Sequence, residues 1–150
     1  DERGDLLHAF HKRLTGSDRR ARIAAAKAWA CWEGETISIK GPDSRPAKFE
    51  EDSFADAFAR IECHYFVNKG FFPEDGWLLK QAEEKLSGVP GIIVHGRYDV
   101  VTPIGTAWKL TKAWPDAKLH IVPDAGHSSL DPGIVDQLIT ATRSFAKKFK

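Results

Sequence analysis

Between Gly91 and Leu130 a short apolar run, a helical span and a second apolar run follow one another in an order that few folds accommodate. Ile92, Ile93 and Val94 are wholly apolar and β-branched and are closed by Gly96, the pattern of a strand buried on both faces of a parallel sheet. Asp99 falls just past the carboxyl end of that strand. Thr102-Pro103 then reads as a helix cap with proline in the first turn, and Ile104, Ala107, Trp108, Leu110 and Trp114 give the helix an apolar side. Lys118 to Val122 is the second strand, and the loop after it, punctuated by Pro123 and Gly126, carries His127. A strand, a helix and a parallel strand make a βαβ unit. Asp99 and His127 are thereby placed at the same end of one sheet, where open α/β sheets hold their sites.

Upstream the periodicity is helical. Asp5 to Leu14 carries Leu6, Leu7, Phe10 and Leu14 on one side, with His8 and His11 three residues apart and no third metal ligand near them, so both are solvated or packing histidines. Thr15-Gly16-Ser17-Asp18 breaks this helix and caps the next, Arg19 to Trp32, which has Ile23, Ala26, Trp29 and Ala30 in register. Glu33 comes next, where a helix dipole favours a cation, between Trp32 and Gly34. By itself it is either a solvated residue of a frayed end or a carboxylate held there for a purpose. Thr36 to Lys40 reads as a short strand or linker, and Gly41 to Lys48 as a loop. A third helix begins near Asp52-Ser53, with Phe54, Phe58, Ile61 and Tyr65 as its apolar stripe and Glu62 at the border beside Phe58 and Phe66. A carboxylate among aromatic rings is costly unless donors meet it, so Glu62 either reaches water at the edge or has a partner. Asn68-Lys69-Gly70 closes this helix, and Phe72-Pro73-Glu74-Asp75 opens a fourth that carries Trp77, Leu78, Ala82 and Leu86. The last helix spans Gly133 to Phe149, with Ile134, Leu138, Ala141, Phe145 and Phe149 inward.

Charge and cysteine usage narrow the function classes. A net charge of +1, from 22 basic and 21 acidic residues, gives no footprint for a nucleic-acid partner. Neither a bilayer-spanning apolar run nor a signal-peptide pattern is visible, and a membrane partner is not expected. Cys31 and Cys63 form neither a disulfide framework nor a zinc cluster, which favours a reducing, cytoplasmic location. Cys63 has no base beside it in sequence to make it a nucleophile.

Helices dominate up to Ser87, and strands alternate with helices after Gly88. The expected organisation is therefore a helical module, residues 1–87, followed by a piece of α/β core, residues 88–150. Two strands cannot form a sheet by themselves beside so many helices, because their faces and edges need cover. An Asp on one strand-end loop and a Gly-His on the next are the last two members of a Ser, Asp, His order, that of α/β hydrolases. In that arrangement His127 takes the proton of a nucleophilic hydroxyl, and Asp99 holds its tautomer. The nucleophile belongs on a Gly-x-Ser-x-Gly turn, and none occurs in the 150 residues. Ser128 and Ser129 share the histidine's own loop, without the strand-to-helix turn that exposes a nucleophile. The chain reads as the carboxy-terminal part of an α/β-hydrolase fold, a helical cap followed by the last strands and helices of the core.

Several stretches together resemble one family. Trp32-Glu33-Gly34-Glu35, Ala59-Arg60-Ile61-Glu62 with His64-Tyr65-Phe66, His95-Gly96-Arg97-Tyr98-Asp99, Lys112-Ala113-Trp114-Pro115 and His120-Ile121-Val122-Pro123-Asp124-Ala125-Gly126-His127 are similar to proline iminopeptidase, a serine aminopeptidase of the α/β-hydrolase fold. That resemblance implies release of an amino-terminal proline from peptides, with no metal or other cofactor, and a cap inserted between the nucleophile half and the Asp/His half of the core. It implies Asp99 and His127 as the triad's acid and base, Glu33 and Glu62 as the carboxylates that receive the substrate's free α-amine, and Phe66 as part of the pocket for the proline ring. Two anions among aromatics would favour a protonated secondary amine over a blocked peptide, and an apolar pocket suits a pyrrolidine. The implied partners are a peptide with an amino-terminal proline and the nucleophile half of the hydrolase, without which this chain alone is expected to be inactive. Two alternatives remain: a capped hydrolase acting on an ester or epoxide, and a truncated fragment or binding module using its helical face.

Overall fold

A computed structural model describes residues 2–37 and 47–148. The chain divides into two compact units, one formed by Asp1–Glu35 with Lys40–Pro73, the other by Thr36–Ile39 with Glu74–Lys150.

The first unit contains α1 (Leu6–Thr15), α2 (Arg19–Thr36) and α3 (Asp52–Val67). Asp5 caps α1, its carboxylate accepting from the His8 amide at 3.1 Å and meeting the His8 ring Nδ1 at 2.8 Å. Asp18 does the same for α2 through the amides of Arg20 and Ala21. Helix α2 does not end at Trp32: it continues through Gly34 to Thr36, so Glu33 lies within the helix, in its last turn, and not beyond its end. Thr36 is accordingly helical rather than extended, and most of the linker and loop anticipated after it, residues 38–46, lies outside the described residues.

Helix α3 corrects a second expectation. Its buried line is Ala55, Ala59 and Cys63, not the aromatic stripe; Ile61 is 61% exposed and Tyr65 also faces outward. Small side chains at every fourth position let α1 approach closely, and Leu14 is buried between them. Phe54 and Phe58 pack instead on Phe49, whose ring meets both edge-on at 5.2 and 5.6 Å. The pairs Arg22 with Asp56, 3.2 Å, and Lys27 with Asp52, 2.7 Å, tie α2 to α3. After Asn68 the chain turns through Lys69, Gly70 and Phe71, all with positive φ, a conformation that costs the two side-chain-bearing residues more than the glycine.

The second unit contains α4 (Trp77–Lys85), β1 (Gly91–Gly96), α5 (Ile104–Ala113), β2 (Ala117–Val122) and α6 (Pro132–Lys148). Helix α4 starts later than anticipated, after the left-handed Gly76, and packs on α5, so the compact unit begins earlier in the chain than the shift in composition near residue 88. The two strands are parallel, in register from Gly91 opposite Ala117 to Gly96 opposite Val122, and α5 and α6 pack on both. Val122, Ala125 and Ile134 form a small core, with Val94 against it. Ile92, Ile93 and Val94 are only half-buried and Ile121 is 47% exposed, so the expected burial on both faces is not achieved by a sheet of two strands. On α6, Ile134 and Ala141 are buried while Leu138 is exposed, and Phe149 lies outside the described residues.

Candidate active site

Asp99 and His127 occupy the loops that leave the carboxyl ends of β1 and β2. Those loops are stitched together by backbone bonds from Arg97 N–H to Val122 O, 2.8 Å, and from Tyr98 N–H to Ala125 O, 3.0 Å. So close is the approach that a Cβ on Gly96 would stand 2.0 Å from the Gly126 carbonyl oxygen, which restricts this position to glycine. Asp131, buried ahead of α6, accepts the Gly126 amide at 3.0 Å and holds the histidine loop from its far side. The amides of His127 and Ser128 both donate to the Ile37 carbonyl at 3.0 Å.

Within this frame the two oxygens of Asp99 have different duties. Oδ1 accepts the backbone N–H groups of Val101 and Thr102 at 3.0 and 2.8 Å. Oδ2 faces His127 Nδ1 at 2.9 Å and the Thr102 hydroxyl at 2.9 Å. A carboxylate accepts, so Nδ1 carries the proton and Nε2 is the basic nitrogen. The His127 side chain is 37% exposed against 5% for Asp99. Burial pushes the Asp99 carboxyl up, but the Thr102 amide, the His127 ring and the Thr102 hydroxyl outweigh it together and hold the group below the usual carboxylate range. His95, on β1, has Nε2 at 3.0 Å from the Thr102 carbonyl and 3.6 Å from Asp99 Oδ2.

Thr102 thus does not cap α5, contrary to the reading of Thr102-Pro103 as a cap. Pro103 is the N-cap residue, without a side-chain bond, and the threonine hydroxyl turns back to Asp99. The signal is present in Asp99-Val-Val-Thr102, since an Asp followed at the second and third positions by free amides commonly folds its carboxylate onto them. Ser128, excluded as a nucleophile on sequence grounds, accepts the Leu130 amide through its Oγ.

The first unit holds the remaining candidates. A groove of about 650 Å³ is lined by Leu6, Phe10, Trp29, Trp32, Glu33 and Phe66 among others. Glu33 is only 7% exposed, held there because α2 runs past it, and Phe66 is half exposed on α3. Glu62 reaches the groove wall through Trp29, whose indole N–H donates to Glu62 Oε2 at 2.6 Å. The Trp29 ring lies between Phe10, edge-on at 5.3 Å, and Phe66, tilted at 6.0 Å. Glu33, Phe66 and Trp29 therefore line one mainly apolar groove, with Lys69 also on its wall, while Glu62 is tied to that wall through the Trp29 indole. No local pattern in the sequence pairs Trp29 with Glu62. Among the described residues no group of three or more His, Cys, Asp or Glu is placed to hold a metal ion, and no helix is long and apolar enough to cross a membrane.

The sequence of residues 2–133 matches the α/β-hydrolase fold. The chain belongs to that family. It is 53% identical over 144 residues, 96% of its length, to a proline iminopeptidase of Xylella fastidiosa, and 52% identical over 145 residues, 97% of its length, to one of Xanthomonas citri. A plant relative, the proline iminopeptidase of Arabidopsis thaliana, is 50% identical over 142 residues. The chain spans less than half of each: 46% of the two bacterial proteins and 37% of the plant one, matching the carboxy-terminal part of the α/β hydrolases it resembles.

Proposed function

We propose that this chain is the cap and final core segment of a serine aminopeptidase that releases proline from the amino terminus of peptides. The observation that carries the proposal is the Asp99–His127 pair, 2.9 Å apart on adjacent strand-end loops with Nδ1 engaged and Nε2 left as base. Similarity to proline iminopeptidases over 96% of the chain supports the substrate class. The nucleophilic serine and its oxyanion hole are supplied by polypeptide outside residues 1–150. His127 Nε2 takes the serine proton as the serine oxygen bonds to the prolyl carbonyl carbon, then gives that proton to the leaving peptide amine as the C–N bond breaks. Water repeats the sequence on the prolyl ester, freeing proline and restoring the serine. Asp99 stabilises the imidazolium in both halves of the cycle. Glu33 and Glu62 receive the substrate's ammonium, and Phe66 packs on the pyrrolidine ring. No cofactor takes part.

The test uses the complete hydrolase and a proline arylamide. Replacing Glu33 or Glu62 by Gln is expected to lower kcat/KM by roughly 10- to 100-fold each, the worth of a hydrogen bond to a charged group. A fluorophosphonate probe is expected to label a serine outside residues 1–150. Unchanged turnover in both Gln variants, together with efficient hydrolysis of amine-free esters, would replace the peptidase by an esterase; a label inside residues 1–150 would sink the division of the triad.

A further inference from the structure

We infer that Trp29 is a positioning residue for substrate selection, fixing the orientation in which the Glu62 carboxylate meets a cationic amine; the inference rests on the amine-binding role proposed for Glu62. An indole nitrogen is a donor only, with one proton in a fixed direction. At 2.6 Å from Oε2 it occupies one carboxylate oxygen and leaves Oε1 to bind a ligand. Being neutral, it orients the group without cancelling its charge, as a Lys or Arg partner would. The donor is itself immobilised, its ring set edge-on against Phe10 at 5.3 Å and tilted against Phe66 at 6.0 Å. Phe10, Trp29 and Phe66 all line the groove that also contains the buried Glu33. A single indole thereby supplies both an apolar wall and the orientation of an anion. Such a wall suits a small ring whose nitrogen is protonated, and a fixed carboxylate avoids the ordering cost that a mobile one would add on binding.

Trp29→Phe keeps the aromatic wall and removes only the N–H. The probes are prolinol, a cationic pyrrolidine, and cyclopentylmethanol, its neutral ring analogue, titrated into the complete hydrolase. Prolinol affinity is expected to fall about tenfold in Trp29→Phe and in Glu62→Gln, with cyclopentylmethanol unchanged in both. In the Glu62→Gln background Trp29→Phe should have no further effect, because the indole acts through the carboxylate. Loss of prolinol binding in Glu62→Gln but not in Trp29→Phe would overturn this inference and leave the amine site standing. No loss in Glu62→Gln would overturn both. Equal loss for the two ligands, or additive effects in the double variant, would reduce Trp29 to a packing residue. Should Trp29→Phe fail to fold, the indole ¹⁵N–H resonance of Trp29 in the unmutated protein decides: it shifts with prolinol and not with cyclopentylmethanol, and equal response to both would refute the role.

Discussion

Replacing Asp99 by Asn tests the geometry of the acid–base pair more sharply than deleting it. Asn is nearly the same shape, so its orientation is settled by the donors around it. Two backbone amides, from Val101 and Thr102, point at the Oδ1 position, and only the amide oxygen of Asn can accept them. Its NH₂ group is then forced to the Oδ2 position, 2.9 Å from His127 Nδ1. Two donors cannot face each other there, so Nδ1 gives up its proton, Nε2 acquires it, and the base is lost without movement of the ring. The expected loss in kcat is about 10⁴-fold, or about 5.5 kcal/mol of transition-state stabilisation, with KM nearly unchanged. Steady-state hydrolysis of a proline arylamide by the complete hydrolase measures the rate, and ¹⁵N chemical shifts of His127 report the tautomer. Stability adds a second signature. The Asp99 carboxyl is held below its ordinary value in the folded protein, so the stability it contributes is present above the unfolded-state pKa and lost as pH falls through the lower folded value. An amide does not titrate, so the melting temperature of the Asp99→Asn variant should lose that acid dependence. Activity within tenfold of the parent, or a ring still protonated at Nδ1, would refute the assignment of the two oxygens.

Removing the Thr102 hydroxyl as Thr102→Val takes one of four donors from Asp99, so kcat should fall about tenfold with KM unchanged and Thr102→Ser should restore it; the acid limb of the melting curve should also move to higher pH. Gly96→Ala drives a methyl group against the Gly126 carbonyl and should lower stability by more than about 3 kcal/mol, read by urea denaturation, with loss of the Asp99–His127 alignment. Ala59→Leu overfills the contact between α1 and α3 and should cost about 1–3 kcal/mol, whereas the same enlargement at the exposed Ala57 should change the melting temperature little.

Elements written in local periodicity are legible in the residue order. The strand at Ile92 to Val94, the helix after Pro103 and the loops carrying Asp99 and His127 are where the apolar pattern and the Pro/Gly punctuation put them. Boundaries are less so: α2 passes through Glu33-Gly34 because glycine lowers helix propensity without forbidding the conformation, and packing of the buried Ala26, Ala30 and Gly34 decides. The aromatic stripe of α3 misleads for a related reason. Hydrophobicity marks which residues could be buried, but helix–helix distance selects among them, and three small residues in line permit the closer contact.

From residue order alone come the α/β character, the Asp-before-His arrangement and the carboxylates among aromatics that call for an explanation. Each is a property of neighbours along the chain. Only tertiary structure decides that Glu33 is buried, that Thr102 turns to Asp99 rather than to its own helix, and that Trp29 meets a carboxylate 33 residues away. Periodicity specifies which face of an element turns inward, whereas a hydrogen bond needs a donor and an acceptor within about 3 Å, a condition that only the packing of distant segments can satisfy.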